Sequence, residues 1–197
     1  MTTIAVFDFD GTLVRCDSFV RFIVFCFGQW RTALGFVLFS PLLLLMALRI
    51  VSGGLVKQKM FSFFFRHWRE EDFRKAGGDF LQRLNRHTDG QMADRLQWHQ
   101  TQGHRIYVVS ASMEAWVGPW CEERGVSRVV CTMPEVDASG RLTGGFATKN
   151  CKGREKVNRF LALEPDRDTY RLVVYGDSRG DREMMALADE AHKVKPY

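Results

Sequence analysis

The chain enters an apolar, β-prone run, Ile4-Ala5-Val6-Phe7, that ends abruptly in Asp8-Phe9-Asp10-Gly11-Thr12-Leu13. No other stretch limits the possible folds so strongly. Side chains alternate along a strand, so Asp8 and Asp10 leave its end on one side while Phe9 points away. Gly11 relieves the sharp turn that follows. Two close carboxylates repel each other unless a cation lies between them, a proton is shared, or both stay hydrated. Oxygen-only ligands suit a hard cation such as Mg²⁺, which takes one or two carboxylates plus substrate phosphate. Taken alone, an Asp-x-Asp-Gly can equally be a turn after an edge strand, with Thr12 capping a helix. The pattern gains weight only from partner groups at other strand ends.

From Gly90 onward the sequence alternates regularly. It predicts helices over 92–102, 113–124, 154–163 and 182–188, and strands over 105–109, 128–131, 171–175 and 192–194. Gly103 and Gly125 stop the first two helices. Residues 134–148 read as a hairpin turning at Ala138-Ser139-Gly140. Strands alternating with helices imply a parallel sheet covered on both faces, whose ligands bind beyond the carboxyl ends of the strands.

Between the first strand and this region, 14–87 reads as helical. No charge occurs from Thr32 to Leu48, and Arg31 and Arg49 bracket the run. As a helix it would be about 25 Å long, with Pro41 expected to kink or break it. A bilayer's hydrocarbon core needs about 20 residues. Three readings stay open: a buried helix, a helix in a membrane interface, or a kinked hydrophobic hairpin. Few neighbouring helices are present to bury so much Phe and Leu, and a large exposed apolar patch marks an interaction surface. Gly53-Gly54 is expected to break the region. Helices are expected over 56–65 and 70–85, with Lys57, Lys59, Arg66 and Arg69 as cations.

Four stretches together resemble the haloacid-dehalogenase-like (HAD) phosphatases, in the family's order: Asp8-Phe9-Asp10-Gly11-Thr12-Leu13, Val108-Val109-Ser110-Ala111-Ser112, Gly153-Arg154-Glu155-Lys156, and Gly176-Asp177-Ser178-Arg179-Gly180-Asp181. The long insertion and Gly140-Arg141-Leu142-Thr143-Gly144 resemble the subgroup holding phosphoserine phosphatases and a phosphatidylglycerophosphatase. The resemblance implies an α/β, Rossmann-like parallel sheet core at 1–14 and 88–197. It also implies an α-helical cap at 15–87 and a small β-hairpin. Asp8 would be the nucleophile, forming an aspartyl-phosphate, and Asp10 the acid and then the base. An acid for an alcohol leaving group separates a phosphatase from a dehalogenase. Lys156 would neutralise phosphoryl oxygens, with Lys152 a weaker choice. Mg²⁺ would be held by Asp8, the Asp10 carbonyl and Asp177, with Asp181 supporting.

The expected substrate-binding positions are Gly11, Thr12, Asp17, Ser110 and Ala111. Ser110 would donate to phosphate, helped by backbone N–H groups near Gly11 and Ala111. Ser112 is expected to cap the following helix. Asp17 falls where phosphoserine phosphatases read an amino group, but starting the first insertion helix is the favoured reading. Gly180 replaces an asparagine of those enzymes, which together with the apolar insertion turns the expected substrate toward a lipid phosphate. Phosphoserine or another small phosphomonoester is the runner-up. A phosphotransferase, and a non-catalytic membrane-binding protein on the same scaffold, are the rivals.

The 197 residues suffice for one domain with an insertion. The net charge of +5 suits anionic substrates or a membrane surface. No basic run interleaved with aromatics points to nucleic acid. Five cysteines without Cys-x-x-Cys spacing argue against a disulfide framework or zinc site and for a reducing compartment. A strand beginning within three residues leaves no room for a secretory leader before it. The expected location is cytoplasmic, with contact at the inner face of a membrane. The histidines show no metal-ligand spacing, and nothing in the sequence sets the oligomeric state.

Overall fold

The computed structural model describes residues 2–195. Along the chain run β1 (Thr2–Phe7), α1 (Ser18–Ala47), α2 (Gly53–Phe65), α3 (Glu70–Asn85) and α4 (Gly90–Thr101). They are followed by β2 (Arg105–Met113), α5 (Glu114–Glu123), β3 (Arg128–Thr132), β4 (Pro134–Val136) and β5 (Leu142–Phe146). The chain closes with α6 (Arg154–Leu163), β6 (Tyr170–Gly176), α7 (Arg182–Leu187) and β7 (Glu190–Lys193). Pro196 and Tyr197, the end of the expected core, lie outside the described residues.

The main sheet is parallel throughout, in the order β3-β2-β1-β6-β7. β1 is central, which explains why its residues are apolar without alternation: both faces are covered. Ile4 and Val6 pack with Phe160, Leu172 and Val174 on one side. Ala5 and Phe7 belong to the larger core on the other, with Trp116 and Phe22. The α/β, Rossmann-like sheet expected from the sequence is present.

β4 and β5 form the expected hairpin. Its turn is tied by Asp137, whose Oδ1 accepts from the N–H groups of Ser139 and Arg141 and from the Ser139 hydroxyl. The hairpin also pairs with the link between α2 and α3. The Leu142 N–H donates to Trp68 O, and the His67 N–H donates to Leu142 O, both at 2.8 Å.

The helical insertion differs from expectation in three ways. Val14 is not helical; it bridges Asp10 and Thr88, closing the loop after β1. The expected break falls at 48–52, just before Gly53-Gly54, and the two glycines form the first turn of α2, capped by Ser52, whose hydroxyl accepts from the Leu55 N–H at 3.2 Å. The break in α1 falls at Gly28 (φ 77°, ψ 170°) rather than at Pro41. Proline cannot donate to the carbonyl four residues back. Here that carbonyl, Val37 O, accepts instead from the Ser40 hydroxyl at 2.8 Å, so the helix runs through.

The Gly28 break separates two halves of different character. Before it, Phe22 is wrapped by the rings of Phe65, Phe73, Phe80 and Trp116, with centroids 4.5–5.5 Å away. After it, Thr32 and Gly35 are the buried residues of α1. Trp30, Leu34, Val37, Leu38, Leu44 and Leu48 are exposed.

Candidate active site

The carboxyl ends of β1, β2 and β6 converge on a cavity of about 440 Å³. Its lining includes Asp8, Asp10, Gly11, Asp17, Ser110, Ala111, Lys152, Lys156, Asp177 and Asp181. β1 and β6 are neighbours in register, and the Asp8 N–H donates to Tyr175 O at 2.9 Å. Asp8 and Asp177 therefore emerge side by side from opposite ends of the sequence. Gly11 has φ +77°, and a Cβ there would lie 2.3 Å from Asp177 Oδ2. Only glycine accommodates both the turn and the close approach of that carboxylate.

Asp8, Asp177 and Asp181 each offer an oxygen within 4.8 Å of the others'. Lys156, buried on α6, donates from Nζ to Asp8 Oδ1 at 2.5 Å and to Asp181 Oδ1 at 2.6 Å. Asp181 Oδ2 accepts from the Ser178 N–H and hydroxyl, which fixes its rotamer. Burial pushes Asp8 up to about 7, the Lys156 ammonium pulling down and the Asp181 and Asp10 carboxylates pushing up. Burial, then Asp181, raises Asp177. For Lys156, burial would lower the pKa, but the two carboxylates outweigh it and keep the ammonium charged.

With all four groups ionised, three carboxylates against one ammonium leave the group two positive charges short of neutrality. Asp177 Oδ1 is buried and has no hydrogen-bond partner among the described residues. An orphaned buried carboxylate oxygen within an excess of negative charge is what a hard divalent cation satisfies. Asp8, Asp177 and Asp181 therefore fit such an ion.

Asp10 stands apart from that cluster. Its Oδ2 accepts from the Ser112 hydroxyl at 2.5 Å and its Oδ1 from the Ser18 N–H at 3.2 Å. Burial first, then Asp17, raises its pKa, against the Ser112 and Ser18 hydrogen bonds. Ser112 is thus not a helix cap. It lies in β2, Met113 holds the cap position of α5, and no side chain caps that helix. Ser110 accepts from the Ser112 N–H at 3.0 Å, leaving its own proton for an acceptor in the cavity.

Two expected backbone donors are already engaged. The Gly11 N–H donates to Val14 O at 2.8 Å and the Thr12 N–H to Phe9 O at 3.2 Å, closing the loop on itself. Thr12 is also fully buried, away from the cavity lining. Asp17 lines the cavity and also caps α1, its Oδ1 accepting from the Val20 N–H at 3.0 Å. Lys152 lies over Gly180, where a Cβ would be 2.9 Å from its Cε. The missing side chain of the fourth motif is what makes room for this cation.

Sequence reasoning left open which cation of the insertion faces the site. Lys57, on α2, reaches in and donates to Ala111 O at 2.7 Å. Burial lowers its pKa against the pull of Asp10 and Asp17. Phe36, Leu43, Met46, Val56 and Met60 complete an apolar wall on the same side.

Comparisons with known proteins give the family and the fold. The family described as haloacid dehalogenase-like hydrolase matches residues 5–186. Protein CicA of Caulobacter vibrioides is 30% identical over 190 residues, 95% of this chain and 83% of CicA. A crystal structure of a protein of unknown function from Bordetella pertussis Tohama I is similar with a TM-score of 0.82 at 19% identity, covering 97% of this chain and 89% of that one. A substrate-bound phosphoserine phosphatase is similar with a TM-score of 0.68 at 19% identity, covering 100% and 88%. With the match spanning all four motifs and nearly the whole chain, the protein belongs to the haloacid dehalogenase-like hydrolase family.

Proposed function

We propose that the protein is a Mg²⁺-dependent phosphomonoester hydrolase working through an aspartyl-phosphate on Asp8. The observation that carries this reading is the joint placement of Asp8, Asp177 and Asp181 around one point, with the Lys156 ammonium against Asp8. Mg²⁺, held by Asp8, Asp177, Asp181 and the Asp10 carbonyl, would supply positive charge for the phosphoryl oxygens. Asp8 attacks phosphorus in line as the P–O bond to the leaving alcohol breaks, and Asp10 gives that oxygen its proton. Asp10 then takes a proton from water, whose oxygen attacks phosphorus, releasing inorganic phosphate and restoring the Asp8 carboxylate. Lys156 favours the ionised form of Asp8 against its burial, and Ser110 donates to the phosphate. In this reading 15–87 is a cap supplying substrate contacts through Lys57 and the apolar wall, and 1–14 with 88–197 is the catalytic core.

The purified protein should release phosphate from phosphomonoesters with Mg²⁺ and stop when the metal is chelated. Asp8→Asn should lower kcat by at least about 10³-fold. A variant that keeps its activity would remove Asp8 as nucleophile.

A second level of the proposal concerns substrate. Phe36, Leu43 and Met46 line the cavity from the same half of α1 that exposes Leu34, Val37 and Leu38. An apolar path from site to surface suits a phosphate borne by a lipid or other amphiphile, such as phosphatidylglycerophosphate, taken from the cytoplasmic face of a membrane. Turnover of phosphatidylglycerophosphate in detergent should exceed turnover of phosphoserine. Activity confined to phosphoserine overturns the lipid preference.

A further inference from the structure

Behind Asp10 lies a hydrogen-bond chain that the steps above do not use. Trp116 Nε1 donates to Ser18 Oγ at 2.8 Å, Ser18 Oγ to Ser112 Oγ at 3.0 Å, and Ser112 Oγ to Asp10 Oδ2 at 2.5 Å. Trp116, Ser18 and Ser112 have no exposed surface, so solvent does not compete for these groups. The members come from four places: α5, the first residue of α1, the end of β2, and the loop after β1.

The chain has a direction. An indole N–H can only donate, and a hydroxyl has one proton. With Ser18 Oγ accepting from Trp116, the Ser18 proton has Ser112 Oγ as its acceptor, and the Ser112 proton then goes to Asp10. The reverse arrangement would strand the Ser18 proton whatever the state of Asp10 and, against the ionised carboxylate, would bring two lone-pair oxygens together at 2.5 Å. Buried polar groups avoid both costs.

We propose that Trp116, Ser18 and Ser112 are positioning residues that hold Asp10 Oδ2 permanently as an acceptor. The transferable proton then resides on Oδ1, the oxygen with the longer 3.2 Å contact from the Ser18 N–H. This rests on Asp10 being the general acid of the proposed phosphatase. The Ser112 N–H donates to Ser110 Oγ, so one residue aligns the acid through its side chain and the phosphate donor through its amide. Without the chain, the Asp10 carboxyl could rotate about its terminal torsion and carry its proton away from the leaving oxygen.

The test uses the dependence of kcat/KM on the leaving group, because kcat/KM reports the first phosphoryl transfer. An alkyl phosphate such as glycerol phosphate needs its leaving oxygen protonated, whereas p-nitrophenyl phosphate barely does. Asp10→Asn sets the largest leaving-group dependence the site can show. Ser112→Ala should lower kcat/KM by about 10- to 100-fold on the alkyl ester and by under about threefold on p-nitrophenyl phosphate. Trp116→Phe keeps an aromatic ring but lacks the N–H. It should give a weaker loss with the same selectivity, and it stands in should Ser112→Ala fold poorly. Equal losses on the two esters, or none on either, overturn the positioning role while leaving the phosphatase intact. A wild-type protein that hydrolyses neither of these esters nor phosphatidylglycerophosphate in detergent overturns the phosphatase reading and this one with it.

Discussion

His99 sits under the working end of the sheet, buried, with Nε2 3.0 Å from the Tyr175 hydroxyl and Nδ1 2.7 Å from His104 Nδ1. The two imidazoles share one hydrogen bond, so one must offer a lone pair and both cannot be cations. Burial first, then His104 and Arg95, lower the His99 pKa to about 4, with Glu190 pulling the other way and His192 adding to the shift. The unfolded chain would protonate this side chain near 6.5. Between those values the unfolded state binds more protons, so the stability His99 contributes is whole above pH 6.5 and is lost as pH falls toward 4. At about 1.4 kcal/mol per unit the loss is on the order of 3 kcal/mol. Urea midpoints at pH 7.5 and 4.5 should therefore fall further for the wild type than for His99→Gln. An equal fall in both would mean that the imidazole pair does not control acid stability. The sequence offers no sign of this pair, because contact with Tyr175 is made only in the folded sheet. Asp8 and Asp177 were legible because each follows an apolar run that stops at a strand end. Lys57 was not, since four cations of the insertion look alike until one helix face is turned toward Ala111.

Adjacent glycines in α3 show how the packing of elements escapes a sequence pattern. A Cβ on Gly77 would lie 2.1 Å from Ala115 O, a main-chain atom of α5, whereas one on Gly78 would meet nothing within 4 Å. Gly77 is thus the point of closest approach between α3 and α5, and Gly78 only weakens the helix. Gly77→Ala should destabilise by about 1–3 kcal/mol through overpacking against an atom that cannot move aside. Gly78→Ala should stabilise by about 0.5–1 kcal/mol through helix propensity and a less flexible unfolded chain. Thermal or urea melts of the two variants should move in opposite directions, and a shared sign would refute the assigned contact. α1 teaches the same lesson from the other side. Proline is the stronger breaker in any helix scale, yet Ser40 satisfies the carbonyl Pro41 leaves open, and the break goes to Gly28. The parallel sheet and the hairpin were readable because alternating elements leave few topologies. α3 likewise runs Glu70–Asn85 as expected, whereas the start of α2 was not readable, because a single hydrogen bond to Ser52 sets it.

Across the whole molecule, charge and apolar surface are arranged unevenly. The second half of α1 and the start of α2 carry Trp30, Leu34, Val37, Leu38, Leu44, Leu48, Ile50 and Leu55 exposed, Trp30 at 91%. Arg31 and Arg49 stand at the ends of the uncharged run. The core sheet cannot cover this face, since its helix-bearing sides are already filled by α4, α5 and α6. An apolar helix face flanked by arginines, on a chain of net charge +5, matches the headgroup boundary of an anionic bilayer better than it matches water. Each arginine near such a surface contributes about 1 kcal/mol and is screened by salt. Vesicles containing phosphatidylglycerol should therefore shift Trp30 emission to the blue, an effect lost in Trp30→Phe. Neutral vesicles should bind more weakly, and Arg31→Glu with Arg49→Glu should weaken binding to anionic vesicles by at least about 10-fold at low salt. Emission that ignores vesicles, combined with a concentration-dependent dimer in sedimentation, would assign the face to a second copy of the chain. The cavity's apolar wall would then lead to a protein interface, and the case for a lipid phosphate would fall with it.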